Sequence, residues 1–111
     1  MEEYPFVTAM IVARNEEKYI EKCFRSLLEQ NYPPDRYEVL IIDGLSDDET
    51  LAIAKDTENK YAFREYANGD KFKVQVRYLH NPKKILAAGW NLGIKNAVGE
   101  YVIRIDAHGF A

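Results

Sequence analysis

The chain has 111 residues, 47% of them hydrophobic and 30% charged, with a formal net charge of −3. Such a composition fits one globular domain or part of one, and without a local Lys/Arg cluster it gives no electrostatic case for nucleic acid. A lone cysteine, Cys23, excludes an internal disulfide, the acidic start MEEYPF is no signal peptide, and no apolar run approaches the roughly 20 residues that cross a bilayer, so a cytoplasmic location is expected.

The stretch FVTAMIVA, Phe6 to Ala13, predicts a strand buried on both faces, as in parallel sheets. In NEEKYIEKCFRSLLEQ, Ile20, Cys23, Phe24, Leu27 and Leu28 recur at helical spacing, and Glu16 and Glu17 sit where a helix N-terminus favours acids. The paired prolines of NYPPDRY break that helix, and Tyr37 to Asp43 predicts a second buried strand. Ser46 with Glu49 three residues on predicts a capping box opening a helix through ETLAIAKDTENKYAFRE. ANGD then turns into a third strand, Lys73 to Leu79, whose alternation suits a sheet edge. KKILAAGWNLGIKNA supplies a third helix, with Ala88 and Gly89 allowing close approach to the sheet and Gly99 ending it, and Glu100 to Asp106 is the fourth strand.

This alternation gives an α/β fold, a doubly wound, mostly parallel sheet with helices on both faces, and leaves the strand order open. In such sheets ligands bind beyond the carboxyl ends of the strands, and three of those ends are polar: Arg14-Asn15-Glu16, Asp43, and Asp106-Ala107-His108. Asp106 and His108 either cap a strand or hold one divalent cation. Two ligands need an oxyanion to complete the shell, and a carboxylate with an imidazole suits Mg²⁺ or Mn²⁺. Asp43 reads either as an acceptor for a base or ribose or as a turn residue before Gly44. Asn15 reads either as a helix N-cap or as part of the rim. Trp90 reads as packing, His80 as a loop residue, Lys83 and Lys84 as a solvated helix start, and Cys23 as core.

Taken in order, these segments resemble the nucleotide-sugar-binding part of an inverting family 2 glycosyltransferase of the GT-A, Rossmann-like fold. The resemblance runs from Val7 to His108. One half of it is a strand before an Asn-Glu helix start and a strand before a DGxSxDxT-like turn; the other is AAGWNLGIKNAVGEYVIRIDAH, where Asn-x-Gly and Gly-Glu precede a strand into an Asp-x-Asp-like motif. It implies a nucleotide pocket at Ala13, Arg14, Asn15 and Glu16, with Asp43 on the base, usually uracil, and Asp106 near the ribose and diphosphate. Asp106 and His108 would hold a divalent metal, Mn²⁺ or Mg²⁺. The implied reaction moves a sugar from a nucleotide-sugar donor, a UDP-sugar, to a hydroxyl of a saccharide or lipid-linked acceptor with inversion, as in polysaccharide biosynthesis.

Three positions depart from the family pattern: His108 replaces a carboxylate, Trp90 stands where many relatives carry Arg, and Gly44 replaces a common second Asp. The family's acceptor region and catalytic base lie beyond the metal motif. Residues 1–111 are therefore expected to be a truncated donor-binding part, inactive alone, with the base downstream of Ala111 and the full-length protein at the inner face of the membrane. An uncovered sheet edge predicts self-association into a homo-oligomer. The alternative is a non-catalytic nucleotide-binding or interaction domain on the same framework. Arg14-Asn15 after the first strand argues against a receiver-like domain, and the lack of G-x-G-x-x-G there argues against a dinucleotide dehydrogenase.

Overall fold

The computed structural model describes residues 4–65 and 69–106. Four parallel strands form the main sheet: β1 (Val7–Ala13), β2 (Tyr37–Asp43), β5 (Gln75–His80) and β6 (Tyr101–Asp106), in the order β5-β2-β1-β6. The central pair is almost wholly buried because both of its faces are covered. Helices α1 (Ile20–Leu28) and α2 (Thr50–Tyr61) lie on one face, where Phe24, Leu28 and Ala54 pack with Ala9, Ile11, Val39 and Ile41. Helix α3 (Leu86–Asn96) covers the other face, where Trp90 and Leu92 pack on Met10, Val12, Leu40 and Ile42. The sheet is thus doubly wound. Its order reverses between β1 and β6, because the third crossover returns over the sheet on the opposite face.

Close approach of α3 depends on Gly89 and Gly93. A Cβ on Gly89 would lie 2.6 Å from Val12 Cγ1, and one on Gly93 would lie 2.2 Å from Met10 Sδ. Gly93, not Ala88, is the second contact point. Gly99 also has a different role from the helix stop expected of it. The helix ends at Asn96, while Gly99 lies so close to β1 that a Cβ would come within 2.5 Å of the Thr8 nitrogen.

The helical pattern of the second helix continues through Glu65, but the helix itself does not. It ends at Tyr61, and Phe63–Glu65 forms β3, paired antiparallel with β4 (Lys71–Lys73). Asn-Gly, a strong hairpin signal, lies between the two short strands, and Gly69 adopts φ 92°. The expected capping box also gives way: Ser46 turns to Asp43, and the Thr50 N–H is capped instead by Asp48 Oδ1 at 3.0 Å. Helix α1 begins at Ile20, after a turn at residues 15–19 closed by the Tyr19 and Ile20 N–H groups on the Glu16 carbonyl.

At the amino end of the sheet a polar lock lies under the core. Glu38 is 3% exposed, and its carboxylate accepts the Thr8 hydroxyl at 2.7 Å, Arg77 Nε at 3.0 Å and Nη2 at 3.2 Å, and the Val98 N–H at 3.3 Å. Arg77 also donates to the Asn96 carbonyl, and the Thr8 hydroxyl accepts the Gly99 N–H. One carboxylate therefore joins β1, β2, β5 and the entry to β6. Removing its cationic partner should be costly, because the buried charge would remain uncompensated. Arg77→Met is expected to lower stability by about 2 kcal/mol in urea unfolding, and the double variant Arg77→Met/Glu38→Leu to recover part of that loss.

Candidate functional site

Parallel pairing puts the strand ends side by side. Ala13 is in register with Asp43, Asp43 with His80, and Val12 with Asp106. The loops that follow are tied to one another. The Gly44 N–H donates to the Ala13 carbonyl and the Asn81 N–H to the Asp43 carbonyl, both at 2.8 Å.

Asp43 is 4% exposed and directed to the α1/α2 face, where its two oxygens accept the Ser46 hydroxyl at 2.5 Å and the Ser46 N–H at 3.2 Å. The same Ser46 hydroxyl accepts the Asn15 N–H at 2.9 Å, and Asn15 Oδ1 accepts the Asp47 N–H at 2.7 Å. Asn15 is consequently not an N-cap; it clasps the loop after β2. The Glu16 N–H donates to the Thr50 hydroxyl at 2.8 Å, and that hydroxyl also bonds Asp48. These bonds hold Arg14-Asn15-Glu16 against the start of α2.

Among the described residues, three non-glycine positions adopt left-handed backbone: Asn15 at φ 55°, Leu45 at 57° and Lys84 at 65°. Each costs about 1 kcal/mol, and all three lie in loops at the carboxyl ends of the strands. The bonds just described over-determine the first two, and the Lys84 N–H is held by the Asn81 carbonyl at 3.1 Å.

A cavity of about 220 Å³ opens at this rim on the α3 side, lined by Val12, Ala13, Arg14, Glu16, Gly44, Asn81, Lys84 and Leu86. Gly44 lets Arg14 lie across the loop, since a Cβ there would meet Arg14 Cβ at 3.3 Å. Arg14 donates from Nε to the Gly44 carbonyl at 3.0 Å and faces Asp47 at 3.7 Å. Ala13, Arg14 and Glu16 therefore border one cavity, while Asn15 and Asp43 lie behind its wall in the clasp. Asp106 reaches the rim as the last residue of β6. Its side chain and His108 lie outside the described residues, among which no cluster of three His, Cys, Asp or Glu side chains suits a metal ion. A separate groove beside α1, lined by Leu27, Tyr32, Tyr37, Ile103 and Ile105, is almost wholly apolar and offers no comparable chemistry.

The sequence reading missed Ser46, Thr50 and Asp48 as parts of this rim. The signal was present in the density of Ser, Asp and Thr in GLSDDET, which read more simply as a helix start. Burial raises the Asp48 pKa, but hydrogen bonds from the Thr50 hydroxyl and N–H and from the Glu17 N–H outweigh it and hold the carboxyl below its ordinary range.

The fold and the rim together define a doubly wound α/β domain whose cavity opens at the carboxyl ends of β1, β2 and β5. The sequence profile of Glycosyl transferase family 2 matches residues 8–111, and the chain belongs to that family. A dolichyl N-acetyl-alpha-D-glucosaminyl phosphate 3-beta-D-2,3-diacetamido-2,3-dideoxy-beta-D-glucuronosyltransferase of Methanococcus voltae is 36% identical over 105 residues, covering 95% of this chain and 30% of that protein. Among solved structures, the mannosyltransferase PcManGT of Pyrobaculum calidifontis, in complex with GDP-Man and Mn²⁺, superposes with a TM-score of 0.83 at 24% identity, covering 97% of this chain and 29% of that one. Staphylococcus aureus TarS superposes with a TM-score of 0.77 at 24% identity, over 95% of this chain and 28% of that one. These likenesses establish the GT-A fold, and the chain spans under a third of the length of these proteins. Among the described residues no helix is long and apolar enough to cross a membrane.

Two outcomes follow from the clasp. Ser46→Ala removes the acceptor of the Asn15 N–H and the donor to Asp43, and should cost about 1 kcal/mol while accelerating hydrogen exchange at Asn15. Because the Asp48 pKa is depressed, its contribution is full above the ordinary carboxylate range and lost as pH falls through the depressed value. The protection factors of the Glu17 and Thr50 amides, taken relative to intrinsic exchange at each pH, should therefore fall on acidification, and Asp48→Asn should flatten that response.

Proposed function

We propose that this chain is the donor-binding part of a glycosyltransferase that transfers a sugar from a nucleotide-sugar, a UDP-sugar, to an acceptor hydroxyl with inversion. The observation that carries the reading is the cavity between Ala13, Arg14, Glu16 and Gly44 at the strand ends of a family 2 chain. TarS has also been solved in complex with UDP and with UDP-GlcNAc, which supports a nucleotide-sugar as the ligand class. In this reading the Ala13–Glu16 backbone and side chains line the nucleoside pocket. Asp43, expected on the base, stands behind the cavity wall with two acceptor positions filled by Ser46, so in this reading it shapes the pocket through the Ser46–Asn15 clasp.

A divalent metal belongs to the proposal. Asp106 and His108 would hold it, and a carboxylate oxygen with an imidazole nitrogen fits Mn²⁺ or Mg²⁺ provided that donor phosphate oxygens complete the shell. When bound, the metal supplies Lewis-acid stabilisation to the leaving nucleoside diphosphate. PcManGT in complex with GDP-Man and Mn²⁺ supports this choice of ion. In this reading the acceptor is a saccharide or a lipid-linked acceptor. Its hydroxyl would be deprotonated by a carboxylate base from the polypeptide that follows Ala111 in a longer protein.

The 111-residue chain should therefore bind without transferring. Calorimetry with UDP is expected to give weak binding, with a dissociation constant on the order of 0.1–1 mM, strengthened by Mn²⁺. No sugar transfer should occur. Absence of heat with UDP, with or without Mn²⁺, would count against the site, and binding of GDP in place of UDP would correct the nucleotide.

A further inference from the structure

The strand YVIRID carries a cation in an otherwise apolar run. Tyr101, Val102 and Ile103 are exposed along this edge strand, and Arg104 follows them two residues before the strand ends at Asp106. Its guanidinium lies over the Trp90 ring, 5.2 Å from the centroid. Trp90 itself is seated on the Met10, Val12, Leu40 and Ile42 cluster, next to Gly89, the residue that brings α3 against Val12. Arg104 is in register with Met10 and Asp106 with Val12. The stacked pair thus straddles the gap between β1 and β6 on the α3 side, where the strand order reverses.

We propose that Arg104, braced on Trp90, binds the diphosphate of the nucleotide donor; this rests on the donor-binding reading above. At about 3.3 Å per residue, Arg104 starts roughly two residues below the carboxyl end of β6, a distance an arginine side chain spans. The guanidinium keeps its charge at all working pH values and presents a planar fork that matches phosphate oxygens. Among the described residues Arg104 forms no ion pair with a carboxylate, in contrast to Arg14, which is engaged with the Gly44 carbonyl and Asp47. Stacking on a fixed indole leaves the forked N–H groups free while restricting the side chain's rotamers, so less ordering is left for the bound state. Lys84 approaches the rim from the β5 side and Arg104 from the β6 side, which brackets the position of an anion beyond the end of β1.

NMR titrations of the chain with UDP and with uridine, both in Mg²⁺, test the assignment. Arg104→Gln is expected to weaken UDP about tenfold and to change uridine by less than twofold. Arg104→Lys should recover part of the UDP loss as a point charge, and Trp90→Leu should weaken UDP alone. If Arg104→Gln bound UDP as the unsubstituted chain does, whatever its thermal melting, the pair would merely cover the strand edge and the proposal would fall. If the unsubstituted chain bound neither UDP nor uridine, the donor-binding reading itself would fail, and this assignment with it.

Discussion

The in-register parallel pairing of β1 with β2 on one side and β6 on the other is the constraint on which the rest of the molecule depends. It aligns Ala13 with Asp43 and Val12 with Asp106, so that residues about 30 and 90 positions apart share one rim. A slip of one residue would turn Ile11 away from α1 and Val12 away from α3, exchanging the two cores. The hydrophobic faces resist that slip along the strand. At the amino end, the buried Glu38 carboxylate resists it with directional bonds to Thr8, Arg77 and Val98. The lock lies at the opposite end from the cavity, yet it determines which residues meet there.

At the carboxyl end the backbone departs from regular structure, and the departures are concentrated rather than scattered. The left-handed residues Asn15, Leu45 and Lys84 each sit in a different connection, following β1, β2 and β5. Hydrogen bonds between the first two connections, through Ser46 and Thr50, hold Asn15 and Leu45, and the Asn81 carbonyl holds Lys84 within its own connection. A rigid sheet thereby carries loops whose shape is fixed by one another. The outcome is a small, partly polar opening with Gly44 in its wall, where a Cβ would crowd Arg14. Such an arrangement suits recognition of a ligand by backbone and a few charged side chains.

Periodicity sufficed for the four parallel strands and the three helices, because long apolar runs and i, i+3, i+4 spacing are local signals. It failed where the decision was made by tertiary partners. Phe63-Arg64-Glu65 continues a helical pattern, but pairing with Lys71–Lys73 draws it into a hairpin. Ser46 has the spacing of a cap, but the buried Asp43 carboxylate competes for it and wins. Glu38 carried no local signal within its buried strand; only the arrival of Arg77 from β5 and Val98 from beyond the end of α3 explains it. The strand order, and with it which strand ends meet at the rim, had no local signal. Within the rim, the sequence pointed to Ala13, Arg14 and Glu16, which border the cavity, and to Asn15 and Asp43, which support its wall.

Titration of the ¹⁵N-labelled chain with UDP in Mg²⁺, followed by amide chemical shifts, tests the location of the site most directly. The account predicts that shifts concentrate at Ala13, Arg14, Glu16, Gly44 and Lys84, with the amides of Thr8, Glu38 and Gly99 at the far end unmoved. Shifts centred on that far end, or on the apolar groove between Leu27 and Ile103, would contradict it.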